Sequence, residues 1–147
     1  MNGKEYLEQI RNLDDKINNK ILEKESLFTM VTHITPTLSD MKVQTSHTQD
    51  KNGDLIAKMV DLEEEINHYI DEFVDLKCKI ISQLESLTDN RYYNLLHKRY
   101  VQYKKLKQIA DEMGYSEEYV RELHCDALKA FESTYTNLHA EYVILNE

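Results

Sequence analysis

Few side chains in this 147-residue chain stand in patterns that chemistry requires. Glu65-x-x-His68 has the i, i+3 spacing of half a di-iron carboxylate site, but such a site needs a second copy on another helix and further carboxylates. No second copy occurs, so the pair reads as a solvated stretch of helix. Cys125 follows His124, yet adjacent helical residues point about 100° apart and do not face each other. A structural cysteine is expected there, not an activated thiolate. Cys78 and Cys125 lie far apart without CxxC spacing, which suggests neither zinc nor a disulfide framework and suits a reducing compartment. There is no Gly-rich phosphate loop, no Gly-x-Ser-x-Gly elbow and no pair of catalytic carboxylates. No enzymatic activity, metal or cofactor is expected.

The pattern that does suggest a purpose is LKQIADEMGYSEEYVRELHCDALKAF, residues 106–131. Leu106, Ile109, Ala110 and Met113 repeat at helical spacing, and Ala110 is small where a second helix would cross closely. Gly114 permits the positive φ of a sharp helix exit. Ser116 is placed as an N-cap, with Glu117 and Glu118 in the first turn, where carboxylates suit the helix dipole. Val120, Leu123 and Ala127 then face the first helix, and Leu128 and Phe131 reach the layer beneath. This spacing predicts a helix-turn-helix, whose second helix enters the DNA major groove. Glu117, Glu118, Tyr119, Arg121 and Glu122 would face the bases. Arg99, Lys104, Lys105, Lys107 and Lys129 would hold the phosphate backbone.

Together with RYYNLLHKRYVQYK at 91–104, this pattern resembles region 4 of the bacterial sigma-70 family. Leu95, Leu96, Arg99 and Tyr100, the IADEMGYSEEYV block and Ala127-Leu128-Lys129-Ala130-Phe131 carry the resemblance. The chain as a whole is similar to small phage and prophage proteins grouped near the ArpU and RinA type late-transcription regulators. The resemblance implies promoter binding, with Glu118 accepting from cytosine amino groups and Arg121 taking a guanine or a phosphate. Glu117 and Glu122 depart from the basic and amide residues usual on this helix, and they repel phosphate.

Charge is unevenly distributed. Residues 1–90 carry 10 Lys and Arg against 18 Asp and Glu, a net −8, whereas residues 91–129 carry 8 against 6, a net +2. The basic part is the part that resembles a DNA-binding module, though +2 is weak for a protein making several phosphate contacts. A second copy or a partner is expected to supply the rest. Three Gly, one Pro and no Trp leave little punctuation for a sheet, so an all-α fold is expected. No apolar run approaches the roughly 20 residues of a membrane span, and the first residues lack the apolar stretch of a signal peptide. A soluble, unprocessed, cytoplasmic protein near the bacterial nucleoid is expected, with no membrane contact.

The elements that must position this module form a long arm, residues 1–87. A first helix is predicted from Lys4 to Ile34, with an apolar stripe through Tyr6, Leu7, Ile10, Leu13, Ile17, Ile21, Phe28 and Val31 that Lys24 interrupts. Pro36 ends it. Residues 37–53 read as a flexible linker. A second helix, from Asp54 to Leu87, carries Leu55, Met59, Leu62, Ile66, Tyr69, Phe73, Leu76, Ile80, Leu84 and Leu87 in alternating steps of four and three, a heptad seam whose residues from Leu55 to Leu84 are expected to serve oligomerisation. Ile56, Ile70, Val74 and Ile81 widen it. Such a stripe can serve two neighbours, so the first helix is expected to fold back antiparallel while a second subunit packs on the other flank, giving a homodimer or larger bundle. The C-terminal domain, residues 88–147, begins with Thr88 as the expected N-cap of a supporting helix. Its tail keeps a helical rhythm through Tyr135, Leu138, Tyr142 and Leu145.

Three readings of function follow. The first is a phage or prophage transcription regulator that binds double-stranded promoter DNA through this module. The second is an adaptor that docks on RNA polymerase or another protein through the acidic recognition face. The third is a structural, terminase-like assembly oligomer.

Overall fold

The computed structural model describes the backbone of residues 2–34 and 45–146, and side chains within 2–32 and 51–135. The fold is all-α. Its helices are α1, Gly3–Ile34; α2, Thr45–Glu85; α3, Asn90–Leu96; α4, Leu106–Met113; and α5, Glu117–Asn146. A π-helical segment, His97–Val101, continues α3. Among the described residues there is no strand, and no helix is long and apolar enough to cross a membrane.

The boundaries follow local chemistry. Asn2 and Glu5 cap α1 reciprocally: the Glu5 amide donates to Asn2 Oδ1 at 2.8 Å and the Asn2 amide to Glu5 Oε2 at 3.2 Å. This capping box satisfies two of the orphan donors at a helix start. α2 begins at Thr45, so residues 45–53 of the expected linker are helical, and residues 35–44 lie outside the described residues. No proline falls in 45–53, and an interior Gly53 weakens a helix by only about 1 kcal/mol. The N-cap of α3 is Asp89, not the expected Thr88. Its Oδ1 accepts from the Arg91 amide at 2.9 Å, and the same carboxylate takes the Arg91 guanidinium at 2.9 and 3.2 Å. A carboxylate bound to both groups outcompetes a threonine hydroxyl one residue earlier.

The chain divides into two compact units. One comprises Met1–Asn12 with Val74–Glu147 and the other Leu13–Phe73. In the first unit, α5 packs on α3 and α4, and the core gathers the start of α1, the end of α2 and the three later helices. Leu7, Ile10, Ile80, Leu84, Leu95, Leu96, Ile109, Val120 and Phe131 are all essentially solvent-free. Tyr6 stacks on Phe131 with ring centroids 6.0 Å apart and meets the Tyr135 ring at a tilt at 4.7 Å, and its hydroxyl donates to Gln83 Oε1 at 2.8 Å. α1 starts close against α5. The Gly3 amide donates to Glu132 Oε1 at 2.7 Å, and a Cβ at Gly3 would stand 2.6 Å from Glu132 Cγ.

In the second unit, α1 and α2 lie antiparallel. Lys16 Nζ sits 4.3 Å from the Tyr69 ring centroid, Lys20 pairs with Glu65 at 3.4 Å and Lys24 with Glu63 at 3.8 Å. Lys24, which interrupts the α1 stripe, therefore has an acidic partner. The heptad seam faces α1 within the chain: Ile66 is buried, and Met59 and Ile66 line a groove with Ile21 and Phe28 of α1. Leu55, Leu62, Tyr69 and Phe73 are half-buried. Further along the seam, in the other unit, Leu76 is half-buried while Ile80 and Leu84 are fully buried.

Candidate nucleic-acid interface

The π segment and the turn after it set the position of α4. The widened helix end closes with the Gln102 amide on His97 O at 3.1 Å and the Lys104 amide on Lys98 O at 3.0 Å. Between them Tyr103 takes φ 59°, the one non-glycine left-handed residue among those described, at a cost of about 1–2 kcal/mol. Arg99 Nη1 clasps the turn by donating to the Lys104 carbonyl at 3.0 Å. Expected as a phosphate contact, Arg99 is half-buried and committed to this bond.

α4 ends at Gly114, whose φ of 74° lets its amide and that of Tyr115 both return to the Ala110 carbonyl. Ser116 Oγ accepts from the Tyr119 amide at 3.2 Å, and Glu117 and Glu118 occupy the first turn of α5. Gly114-Tyr115-Ser116 thus separates two helices that close on Ala110, 2% exposed, against the fully buried Val120 and Ala127. The small side chains allow the close crossing.

The outward side chains are more occupied than their exposure implies. Arg121 donates to Glu117 Oε1 at 2.8 Å, one turn back on α5. Lys104 and Lys98 both donate to Glu112 on α4, at 2.8 and 3.0 Å, and these two ammonium groups, Lys104 first, hold its carboxyl below the usual carboxylate range. Tyr119 is half-buried: its hydroxyl accepts from Arg91 Nη1 at 2.8 Å, and its ring meets that of Tyr115 edge-on at 4.9 Å. It braces α5 against α3. Glu118 and Glu122 are exposed, as are Lys105, Lys107 and Lys129, and none of these five makes an ion pair among the described residues.

Behind this surface, buried Tyr100 pairs with half-buried His124, the phenol oxygen 2.8 Å from Nε2. Burial, with Arg99 and Lys4 nearby, pushes the imidazole down to about 4, and burial raises the Tyr100 phenol to about 12. Both groups are neutral at pH 7. Cys125, next along α5, is exposed.

Outside this surface, Glu65 meets Lys20, and His68 lies 3.1 Å from Glu72. Among the described residues no group of three or more His, Cys, Asp or Glu is placed to hold a metal ion. The Gly114 and Ser116 caps and the buried face follow from residue type and spacing, whereas Tyr119, expected to face the bases, instead braces α5 against α3, and Lys104 and Arg121 carry carboxylate partners. The Arg121–Glu117 pair was available from its i, i+4 spacing. The Glu112 clamp and the Arg91–Tyr119 bond join different helices, and no periodic signal marks them.

Residues 32–132 match the family described as a protein of unknown function (DUF1492). No curated protein and no solved structure matches.

Proposed function

This chain belongs to the DUF1492 family, and we propose that it is a transcription regulator of the phage or prophage kind, binding promoter DNA through α4 and α5. The observation that carries this reading is the geometry at Gly114. A left-handed glycine and a capping serine join α4 to the longer α5 over a small-residue crossing, and this leaves the first turns of α5 outward. That is the arrangement in which a second helix enters the major groove. The resemblance of residues 91–131 to sigma-70 region 4 supports the same assignment.

In this reading Lys105, Lys107 and Lys129 meet phosphate, because they are exposed near α4 and α5 and have no carboxylate partner among the described residues. Glu118 is placed to accept from a cytosine amino group. Arg121 reaches a guanine only by exchanging its bond to Glu117, so base readout costs an existing ion pair. Three phosphate contacts per copy give a salt dependence of about 2.7 in log–log slope, roughly 0.9 per contact. The test is binding to fragments of the surrounding genome at two salt concentrations, for the wild type and for Lys105→Ala/Lys107→Ala. Saturable, sequence-selective binding that the double variant weakens supports the reading.

A second reading has its own observation. Glu117 neutralises Arg121, and Glu118 and Glu122 stand exposed beside it, so the start of α5 presents net negative charge. Such a face suits a basic protein surface, RNA polymerase among them, better than phosphate. Failure to bind any DNA fragment, combined with capture by polymerase lost on Glu118→Lys/Glu122→Lys, would favour this adaptor role.

A further inference from the structure

Within Leu13–Phe73, Ile17 and Ile66 are the only buried hydrophobic side chains among the described residues. The other seam residues are only half-buried, and a helical unit with so small a fully buried core is marginal and gains from a further partner. Leu22, Phe28 and Met30 of α1 are exposed, and the uncovered apolar side chains of α2 fall at regular spacing. On α2, Ile56 is 51% exposed, Val60 50% and Ile70 38%. With Glu63 and Asn67, both exposed, they follow steps of four, three, four and three, a second heptad stripe one residue on from the seam that α1 covers.

The inner part of this stripe is self-complementary. Reversed about Glu65, Val60 falls opposite Ile70 and Glu63 opposite Asn67, and each pairing joins an a position to a d position, as antiparallel helices require. An isologous two-fold contact has this property, since residue i meets j and j meets i. We propose that a second copy of this chain packs antiparallel on the Val60–Ile70 face of α2, with the Asn67 amide of each copy donating to the Glu63 carboxylate of the other.

The chemistry favours a second copy over an unrelated apolar partner. A purely apolar helix would leave Glu63 and Asn67 without polar partners at the centre of the contact, where an unsatisfied polar group costs about 1–3 kcal/mol. A reversed copy supplies a donor to the carboxylate and an acceptor to the amide. Lys24 on α1 already stands 3.8 Å from Glu63 Oε1, which leaves Oε2 for the incoming amide and keeps the carboxylate neutralised. A single polar layer in an otherwise apolar seam fixes register at some cost in stability. Here it fixes antiparallel alignment, because a parallel copy would set Glu63 against Glu63.

This inference does not depend on DNA binding, and its test contains no DNA. The mass of the full chain is measured by analytical ultracentrifugation for the wild type and for Val60→Glu/Ile70→Glu. In parallel, Glu63→Cys and Asn67→Cys chains, each with Cys78→Ser and Cys125→Ser, are oxidised separately and mixed. The expected results are a wild-type dimer, a dissociation constant about a hundredfold higher in the double variant, and efficient cross-linking only in the mixture. A monomeric wild type, a dimer of undiminished affinity in a folded double variant, or cross-linking of either cysteine variant to itself in preference to the mixture would overturn the proposal. The cross-linking arm decides the matter even where the double variant does not fold.

Discussion

Lys104 donates to Glu112 across the turn into α4, at 2.8 Å from Oε1 and 3.0 Å from Oε2. Lys98 donates to the same carboxylate, so one acidic residue occupies two cations of the surface proposed to meet DNA. The exposed charge available to phosphate is therefore smaller than the count of basic residues suggests.

Glu112→Gln is expected to tighten DNA binding and steepen its salt dependence. The substitution releases two ammonium groups, and each new phosphate contact adds about 0.9 to the log–log slope. Lys104→Ala, which removes a side chain already paired, is expected to change affinity less than Lys105→Ala/Lys107→Ala. Titrations at several salt concentrations would check both, and a Lys104→Ala loss larger than that of the double variant would contradict the clamp.

The Tyr100–His124 pair makes a pH prediction. His124 is held at about 4 in the folded chain against an ordinary 6.5, so between those values the unfolded chain binds the proton and the folded chain does not. The neutral imidazole's contribution is fully present above pH 6.5 and is lost as pH falls towards 4. Discounted for the partial exposure of the site, the loss is about 1–2 kcal/mol. Urea unfolding of the wild type and His124→Phe at pH 7 and pH 5 would measure it, the variant's stability falling less between the two.

At Gly114 the backbone has φ 74°, where a Cβ is strained although nothing crowds it within 4 Å. Gly114→Ala is expected to destabilise by about 1–2 kcal/mol, and Ser116→Ala by about 1 kcal/mol through the lost cap. Thermal unfolding would read both. An unchanged melting temperature in Gly114→Ala would contradict the left-handed turn.

The start of α1 belongs to the same core as α5, since Ile10 is fully buried with Phe131 and Leu84. Ile10→Ala is expected to cost about 2–5 kcal/mol, and hydrogen exchange should quicken in α5 around Val120–Phe131 as well as in α1. Faster exchange confined to α1 would contradict shared packing.

The helices were legible in the sequence because their periods are long: the α2 seam, the α1 stripe and the Ala110–Val120–Ala127 face all emerge from spacing alone. The caps at Gly114 and Ser116 were legible because few residue types serve there. Asp89 displaced Thr88 because Arg91 binds its carboxylate, a local side-chain bond that capping preference does not include. The contacts that join Tyr6 to Phe131, Lys98 to Glu112 and Arg91 to Tyr119 connect residues far apart in the chain, and spacing carries no information about them. At the candidate site, spacing marked Glu118 and Glu122 as outward but did not show that Tyr119 braces α5 against α3 or that Glu112 holds two lysines.

The most direct measurement is the affinity of the full chain for fragments of its surrounding genome, at low and moderate salt, for the wild type and Lys105→Ala/Lys107→Ala. Selective, salt-sensitive binding that the double variant weakens at least tenfold is the result expected of a DNA-binding surface on α4 and α5. A folded protein that binds no fragment selectively at either salt, or binds equally well without these lysines, would contradict it.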